Sequence, residues 1–271
     1  DSPLRVSLAI AWACVLIAMA TAAGLVIGVM TLGRRRSQFV TAVTHELRTP
    51  LTTFQMYSEM LAEGMVDDPE SRQSYLETLR SEAGRLTHMV ENVLAYARLN
   101  RGRNGPDARP ILAGDMLAPS IESLGSRLER EGRHLVVEGW DETESLSVCA
   151  SASVVDQILF NLIDNACKYG DGPDDDRIHL QLSSEGSTLK IAVQDHGPGL
   201  PSNGKHLSGR KLWAPFSKSA EEAAADKKPG IGLGLALSRR LAGTMKARLE
   251  YDEDYKDGAR FVLELPLCEE G

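Results

Sequence analysis

Two neighbouring residues near the start of the chain, His45 and Glu46, have the types and spacing that nucleophilic chemistry requires. An imidazole beside a carboxylate is a candidate nucleophile with an adjacent base. Zinc hydrolases carry the pattern H-E-x-x-H, and here Thr49 stands where the second histidine would be, so that kind of metal site is excluded. The pair therefore predicts a reactive histidine, although most surface histidines take part in no chemistry.

A second group of polar residues recurs at spacings of four and three: Asn161, Asn165 and Lys168. In the segment DQILFNLIDNACKY, these spacings place all three on one side of a helix. Amide oxygens and an ammonium group on one stripe suit Mg²⁺ and phosphate. A solvated polar face is the alternative interpretation of these residues alone.

Two glycine clusters follow. In Asp195–Gly199 (DHGPG), the glycines let backbone approach a flat ligand, and the carboxylate can accept a hydrogen bond from an amine such as that of adenine. Gly230–Leu235 (GIGLGL) opens a predicted helix, whose N-terminus suits a phosphate. Each cluster alone is also typical of an ordinary turn. The sequence has no G-x-x-x-x-G-K-[ST] loop, which excludes a P-loop site.

The histidine lies in a predicted amphipathic helix, because apolar residues around it recur at steps of three, four and seven. They are Val40, Val43, Leu47, Leu51, Phe54 and Leu61. His45 lies about 200° from that face and is expected to point into solvent. Pro50 removes a backbone donor and is expected to bend the helix just after the histidine.

A second helix is predicted after the turn Glu63–Asp68, because Asp68 is a favourable N-cap and Pro69 and Glu70 suit a first turn. Apolar residues then alternate at spacings of three and four, the pattern of a helical seam. They are Leu76, Leu79, Ala83, Leu86, Val90, Val93 and Ala97. We expect a helical hairpin that pairs with a second chain in a four-helix bundle. An intramolecular pair resting on the next domain is the alternative.

From about residue 107 the pattern changes to short strands interleaved with helices, after a linker at Gly102–Pro106. Strands are predicted at His134–Glu138, Leu146–Cys149, Ile178–Ser183, Leu189–Gln194 and Arg260–Leu265. Helices are predicted near Ser120–Glu131, Ser153–Tyr169 and Leu233–Ala242. This arrangement predicts an α+β sandwich, with one sheet and helices on one of its faces.

The N-terminal segment from Val6 to Gly33 has no charged residue. A helix of about 25 such residues is roughly 37 Å long, enough to cross a hydrocarbon core of about 30 Å. Arg34–Arg36 after it, against Arg5 before it, place the following domains in the cytoplasm. A signal peptide, whose apolar core is shorter, is the alternative. The span is expected to run almost directly into the helix of His45.

The bulk composition excludes some classes of function. A net charge of −8 argues against a nucleic-acid-binding surface, which needs a basic excess. The cysteines lie far apart and form no C-x-x-C pair, so neither a zinc site nor a disulfide framework is expected. They are Cys14, Cys149, Cys167 and Cys268.

The residues HELRTPLT at 45–52 resemble the phosphoacceptor box of sensor histidine kinases. The three later clusters resemble, in the same order, the N, G1 and G2 boxes of the histidine-kinase ATP-binding domain. The segment LWAPF at 212–216 resembles its F box. The resemblance covers roughly Ser37 to Leu267, and it implies a membrane-bound sensor histidine kinase.

The expected fold has three parts. The apolar pattern assigns residues 1–36 to a transmembrane helix with a basic juxtamembrane segment, and the resemblance implies that residues 37–101 form an all-α hairpin that dimerises as a four-helix bundle. Residues 107–271 form the two-layer α+β ATP-binding domain of the GHKL (Bergerat) type. The resemblance also implies a homodimer, and together with the apolar segment it predicts one span in the inner (cytoplasmic) membrane and kinase domains in the cytoplasm. No nucleic-acid partner is expected, because the net charge is −8.

The resemblance implies roles for single residues. ATP phosphorylates His45, Glu46 takes or orients its proton, and Thr49 helps to place a water for dephosphorylation of the partner protein. Asn165 binds Mg²⁺, and Asp195 accepts the adenine amine. The residues implied at the ATP site are Asn161, Asn165, Lys168, Tyr169, Asp195, Gly197, Gly199, Phe216, Gly230, Gly232 and Gly234.

The implied reaction is autophosphorylation of His45 from ATP with Mg²⁺, then transfer to an aspartate of a response-regulator receiver domain. Dephosphorylation of that regulator is the implied second activity. A chaperone-like or mismatch-repair-like ATPase and a non-catalytic ATP-binding dimeric scaffold are the alternatives. The box at His45 argues against the first, and intact Asn165 and Asp195 argue against the second. Ser217–Pro229 is expected to form a lid, and His196 replaces an asparagine common in the family.

Overall fold

The structure is a computed structural model of the chain. It describes residues 2–66, 68–100, 108–170, 175–199, 212–215 and 232–268. The side chains of His45, Glu46 and Thr49 lie outside this description, although their backbone is part of a helix.

The N-terminal part is a hairpin of two long helices, α1 (Ser2–Ala62) and α2 (Pro69–Asn100), which confirms the predicted hairpin. Asp68 caps α2 as expected: its Oδ2 accepts hydrogen bonds from the backbone N–H of Ser71 at 2.9 Å and from the Ser71 hydroxyl at 2.7 Å. The predicted bend at Pro50 does not interrupt α1, which is one helix of 61 residues. The apolar N-terminal segment and His45 therefore lie on the same helix.

One stretch of the described residues, Ile10–Met30, is long and apolar enough to cross a membrane. None of this stretch is buried against the rest of the chain, whereas the core helix of a soluble protein would be mostly buried. By length and composition, the segment thus fits the predicted span.

The hairpin also exposes apolar residues within the single chain. Leu51 of α1 is 49% exposed, and Leu76 and Val90 of the predicted seam are 47% and 46% exposed. Large side chains on a regularly spaced face are normally covered in a stable helical protein. These residues are therefore available for contact with another surface.

The C-terminal part is a two-layer α+β domain, as predicted. Its elements are β1 (Arg109–Leu112), α3 (Ala113–Arg130), β2 (His134–Glu138), α4 (Trp140–Thr143), β3 (Ser147–Ala150), α5 (Ala152–Tyr169), β4 (Arg177–Glu185), β5 (Thr188–Gln194), α6 (Gly234–Thr244), β6 (Arg248–Tyr251) and β7 (Arg260–Pro266). All five predicted strands are present, whereas β1, β6 and α4 were not predicted. The main sheet has the order β2-β4-β5-β7-β6, and β1 pairs with β3 in a separate ribbon.

The main sheet is mixed: β2 and β4 are parallel, and the other neighbours are antiparallel. Alternate residues of its central strands point into the core, where α3, α5 and α6 cover one face. The buried strand residues are Ile178, Leu180, Leu182, Leu189, Ile191, Val193, Phe261, Leu263 and Leu265. This arrangement puts the ends of β5 and β7 beside the last turn of α5.

One prediction was wrong. Cys149 and Cys268 form a disulfide bond with a Cα–Cα distance of 5.2 Å, although no disulfide framework was expected. The two residues are 119 positions apart in sequence, but the chain after β7 pairs with β3. The backbone N–H of Cys268 donates to the carbonyl of Ser147 at 2.9 Å, which brings the two cysteines together. Sequence spacing carries no sign of that pairing.

Candidate functional site

The helix α5 carries the first polar group of the candidate site. Its apolar face is buried in the core, and Asn165 lies half-buried in its second half. Among the described residues, the Nδ2 atom of Asn165 is buried and has no hydrogen-bond partner. A buried donor without a partner costs free energy. The amide of Asn165 is therefore suited to a bound ligand or water.

Asn161 lies one turn earlier on α5 but is only 5% exposed. Its Oδ1 accepts a hydrogen bond from Asn92 of α2 at 3.0 Å, and its Nδ2 donates to Ser238 of α6 at 3.2 Å. Gln157 also donates to the Oδ1 of Asn92 at 3.0 Å. The polar stripe predicted from the spacing is thus covered at Asn161, where α2, α5 and α6 meet.

Lys168 lies in the last turn of α5, where its ammonium group binds the carboxylate of Asp164. Arg127 of α3 contacts the other oxygen of the same carboxylate at 2.9 Å. Burial opposes ionisation of Asp164, but the two cations outweigh it, and the pKa of Asp164 lies below its usual value. Lys168 is therefore held in place by a permanent negative charge. Tyr169, the last residue of α5, is half-buried beside it.

Asp195 follows β5 directly and is only 6% exposed. Its Oδ1 accepts hydrogen bonds from the backbone N–H groups of Gly197 and Ala259, each at 3.0 Å. The other carboxylate oxygen takes part in neither bond. Burial raises the pKa of Asp195, and the two backbone hydrogen bonds act against that increase. The side chain is thus a fixed acceptor at the edge of the sheet.

Glycines bring three backbone segments close to Asp195. A Cβ atom at Gly197 would lie 2.4 Å from the carbonyl oxygen of Tyr169, and one at Gly258 would lie 2.0 Å from the carbonyl oxygen of Asp195. At Gly170, it would lie 2.7 Å from the Cβ of Asp195. No larger residue fits at these positions without a shift of the backbone. Gly170 and Gly258 are not among the residues predicted from the sequence, although Gly170 directly follows Lys168-Tyr169; Gly258 lies two residues before β7.

Gly199 completes this loop, because a Cβ there would lie 2.8 Å from the carbonyl oxygen of Gly258. The later glycine cluster lies at the start of α6. Gly232 has a positive φ of 65°, and Gly234 is the first residue of α6, beside the side chain of Asn161. Phe216 and Gly230, which the sequence analysis also selected, lie outside the described residues.

Part of the F-box-like segment is described and packs on the domain. The ring of Trp213 contacts Phe261 of β7 edge to face, with centroids 6.2 Å apart. The guanidinium carbon of Arg239, on α6, lies 4.8 Å from the centre of the Trp213 ring. Trp213 thus joins this segment to both the sheet and α6.

Several side chains of α2 rest on the C-terminal domain. The ring of His88 stacks on Phe160 of α5 with centroids 3.6 Å apart. The guanidinium of Arg240, on α6, donates to the carbonyl of Leu99 at 3.2 Å. Together with Asn92, these contacts define an interdomain contact between α2 and the helices α5 and α6.

Two family models match the chain. The "His Kinase A (phospho-acceptor) domain" matches residues 35–102, and the "Histidine kinase-, DNA gyrase B-, and HSP90-like ATPase" family matches residues 151–269. The first contains His45, and the second contains Asn165 and Asp195. The chain belongs to the sensor histidine kinases. In this histidine kinase, the phosphoacceptor match precedes the ATPase match along the chain.

Curated relatives agree with this assignment. The histidine kinase is 30% identical over 235 residues to the alginate biosynthesis sensor protein KinB of Pseudomonas aeruginosa. It is 27% identical over 236 residues to the sensor protein kinase WalK of Staphylococcus epidermidis. These alignments cover 86% and 87% of this chain but only 37% of each relative. The chain thus spans little more than a third of the length of these relatives.

Solved structures share the fold. The histidine kinase AdeS of Acinetobacter baumannii superposes with a TM-score of 0.55 at 19% identity, covering 83% of this chain and 98% of AdeS. Full-length ShkA, determined in complex with AMPPNP, superposes with a TM-score of 0.54 at 23% identity. That alignment covers 87% of this chain and 46% of ShkA.

Proposed function

We propose that this histidine kinase phosphorylates its own His45 from ATP and passes the phosphoryl group to an aspartate of a response-regulator receiver domain. The observation that carries the proposal is the match of both family models to one chain, with His45 inside the phosphoacceptor match. KinB and WalK, which are named sensor protein and sensor protein kinase, support it. ATP is the phosphoryl donor implied by the ATPase family.

At the nucleotide site, we assign the adenine amine to Asp195. Its fixed carboxylate has one oxygen engaged by backbone and lies among close-packed glycines, so a flat base can approach it. Gly197 and Gly199 form the loop beneath the base, and Tyr169 lies next to it. ShkA, which shares this fold, was determined in complex with AMPPNP, in agreement with an adenine nucleotide here.

At the phosphate end, the residues fit Mg²⁺ and a polyphosphate. Asn165 brings a side-chain oxygen, and its buried amide nitrogen, which has no partner among the described residues, supports an additional polar group at this site. Asn161 supports it from the adjacent turn, and Lys168 carries positive charge. We assign the phosphate loop to Gly230, Gly232 and Gly234; Gly230, Phe216 and the expected lid Ser217–Pro229 lie outside the described residues. Mg²⁺ would neutralise charge on the phosphates during transfer.

At the phosphoacceptor, His45 is the nucleophile and Glu46 accepts or orients its proton. The protein must bring the imidazole in line with the γ-phosphate, and correct placement supplies much of the rate of such transfers. In a separate reaction, Thr49 helps to place a water that hydrolyses the aspartyl phosphate of the regulator and releases inorganic phosphate. The contacts of α2 with α5 and α6 must change as the ATP-binding domain moves to His45.

We infer a homodimer, because the hairpin leaves apolar residues such as Leu76 and Val90 exposed on a regular seam. Two hairpins would cover this seam as a four-helix bundle. The domains we propose are 1–36 for the membrane helix and basic segment, 37–101 for the dimerising hairpin and 107–271 for the ATP-binding domain. One span then lies in the inner membrane, with the kinase domains in the cytoplasm.

The test is incubation of the full chain, in detergent, with Mg²⁺ and γ-labelled ATP. We expect label that is lost in acid and kept in base, and that is absent from His45→Gln. His134→Gln is the matched control, because His134 is an exposed histidine at the start of β2 and should keep the label. Nucleotide binding without any label in the wild type would refute the kinase and favour a non-catalytic scaffold.

A further inference from the structure

An arginine outside all of the recognised motifs holds the end of α5. Arg133 lies between α3 and β2, and its Nη2 donates to the carbonyl of Cys167 at 3.1 Å. Its Nη1 lies 3.5 Å from the carbonyl of Gly170. The last carbonyls of a helix have no partner inside the helix and carry partial negative charge. Arg133 therefore supplies a cationic donor to carbonyl groups at the C-terminal end of α5.

The bound end of α5 is in direct contact with Asp195. Gly170 leaves no room for a methyl group against the Asp195 side chain, and the carbonyl of Tyr169 lies against Gly197. A displacement of this turn by a few tenths of an ångström must move Asp195 or the glycine loop, because the contacts are close-packed. The charge of Arg133 also acts on Asp195, where it opposes the increase of the pKa caused by burial.

We propose that Arg133 is a positioning residue for adenine recognition, acting through the last turn of α5 on the carboxylate of Asp195. The inference rests on the proposed function, in which Asp195 accepts the amine of adenine. It gives Arg133 a role that none of the glycine or asparagine motifs supplies. A substitution at Arg133 should change the preference among bases more than it changes the affinity for phosphates.

The test compares Mg·ADP with Mg·IDP, whose base has a carbonyl oxygen in place of the amine. Titration calorimetry of the full chain in detergent gives the ratio of the two dissociation constants, and diphosphates avoid phosphoryl transfer. We expect the wild type to favour ADP about tenfold or more, because the carboxylate loses a charge-assisted hydrogen bond to IDP. In Arg133→Ala, the ratio should fall to about threefold or less, and Arg133→Lys should restore part of it.

Arg130→Ala is the matched control, because Arg130 is exposed at the end of α3 and binds the carbonyl of Ser126 within its own helix. It should keep the wild-type ratio. The melting temperature without nucleotide, measured for every variant, separates a change of stability from a change of base preference. If the alanine variant does not fold, Arg133→Gln, which keeps an amide NH2 donor group but loses the charge, must show the fall in the ratio.

Two results would overturn the inference, and they are distinguishable. A wild-type ratio near one would refute the assignment of adenine to Asp195 and, with it, the role of Arg133. A wild-type preference for ADP that persists unchanged in both neutral variants of Arg133 would refute only the role of Arg133 and reduce it to a structural cap of α5.

Discussion

Removal of the disulfide between Cys149 and Cys268 should destabilise the ATP-binding domain measurably. The bond closes a loop across a sequence separation of 119 residues, which includes the nucleotide site from α5 to β7. The chain-entropy relation gives about 5 kcal/mol for such a loop, and disulfides typically contribute about 2–4 kcal/mol. Because 1 kcal/mol corresponds to roughly 2–4 °C for a domain of this size, the melting temperature should fall by roughly 5–15 °C.

The assay is thermal unfolding of the full chain in detergent, followed by fluorescence of Trp140 and Trp213, with and without reductant. The double variant Cys149→Ser/Cys268→Ser should melt at the temperature of the reduced wild type and should not respond to reductant. Cys167→Ser is the control, because burial raises the pKa of the Cys167 thiol to about 12 and keeps it from thiolate exchange.

Two results would refute this reasoning. The chain is purified without reductant, denatured and labelled with a thiol reagent. Two reactive cysteines are expected, and four reactive cysteines would show that the disulfide does not form. If two are found but reduction leaves the melting temperature unchanged, the loop does not constrain the unfolded chain as the entropy relation requires.

Two further predictions concern the contact of α2 with α5. Burial lowers the pKa of His88 below 6.5, so its stacking on Phe160 is fully favourable above pH 6.5 and weakens as the pH falls below that value. Spin labels on exposed positions of α2 and β4 should show a wider distance distribution at pH 5.5 than at pH 7.5, and no such change in His88→Phe. The charged groups that act on His88 are Glu91, Arg127, Asp156 and Asp164. Asn92→Ala removes the hydrogen bond that Asn92 donates to Asn161 and should release the ATP-binding domain from α2. The initial rate of autophosphorylation should then rise about threefold or more. A rate equal to that of the wild type, at the same melting temperature, would contradict this prediction.

The long central strands β4, β5 and β7, which the sequence predicted, bury alternate residues over several positions. Strands β4 and β5 bury Ile178, Leu180, Ile191 and further apolar residues on one face, and this alternation is visible in the sequence. The strands β1 and β6 have four residues each and bury at most one of them, so no period of two can be recognised. Their positions follow from pairing with β3 and β7, which is a long-range effect.

The same distinction applies to the candidate site. Asp195 and Gly197 lie in one short motif, and their types alone indicated a loop against a flat ligand. Gly258 packs against Asp195, and the charge of Arg133 acts on Asp195. Both residues are about sixty positions away from Asp195 in the sequence, in opposite directions, so only the fold reveals these interactions. The disulfide was missed for the same reason. Local motifs identify the candidate ligand-binding groups, whereas the groups that hold them in place come from the whole domain.

The helix α5 connects the hairpin to the nucleotide site. Its middle contacts α2 through Phe160 and Asn161, and Gly170, directly after its last turn, contacts Asp195. A helix of this length is stiff, because its backbone hydrogen bonds and its buried face prevent bending over a few turns. A displacement of α2 against α5 therefore reaches Asp195, the proposed adenine acceptor, without the intervention of a flexible loop. By reciprocity, a nucleotide that fixes Asp195 must bias the position of α2, the helix that pairs with the one bearing His45.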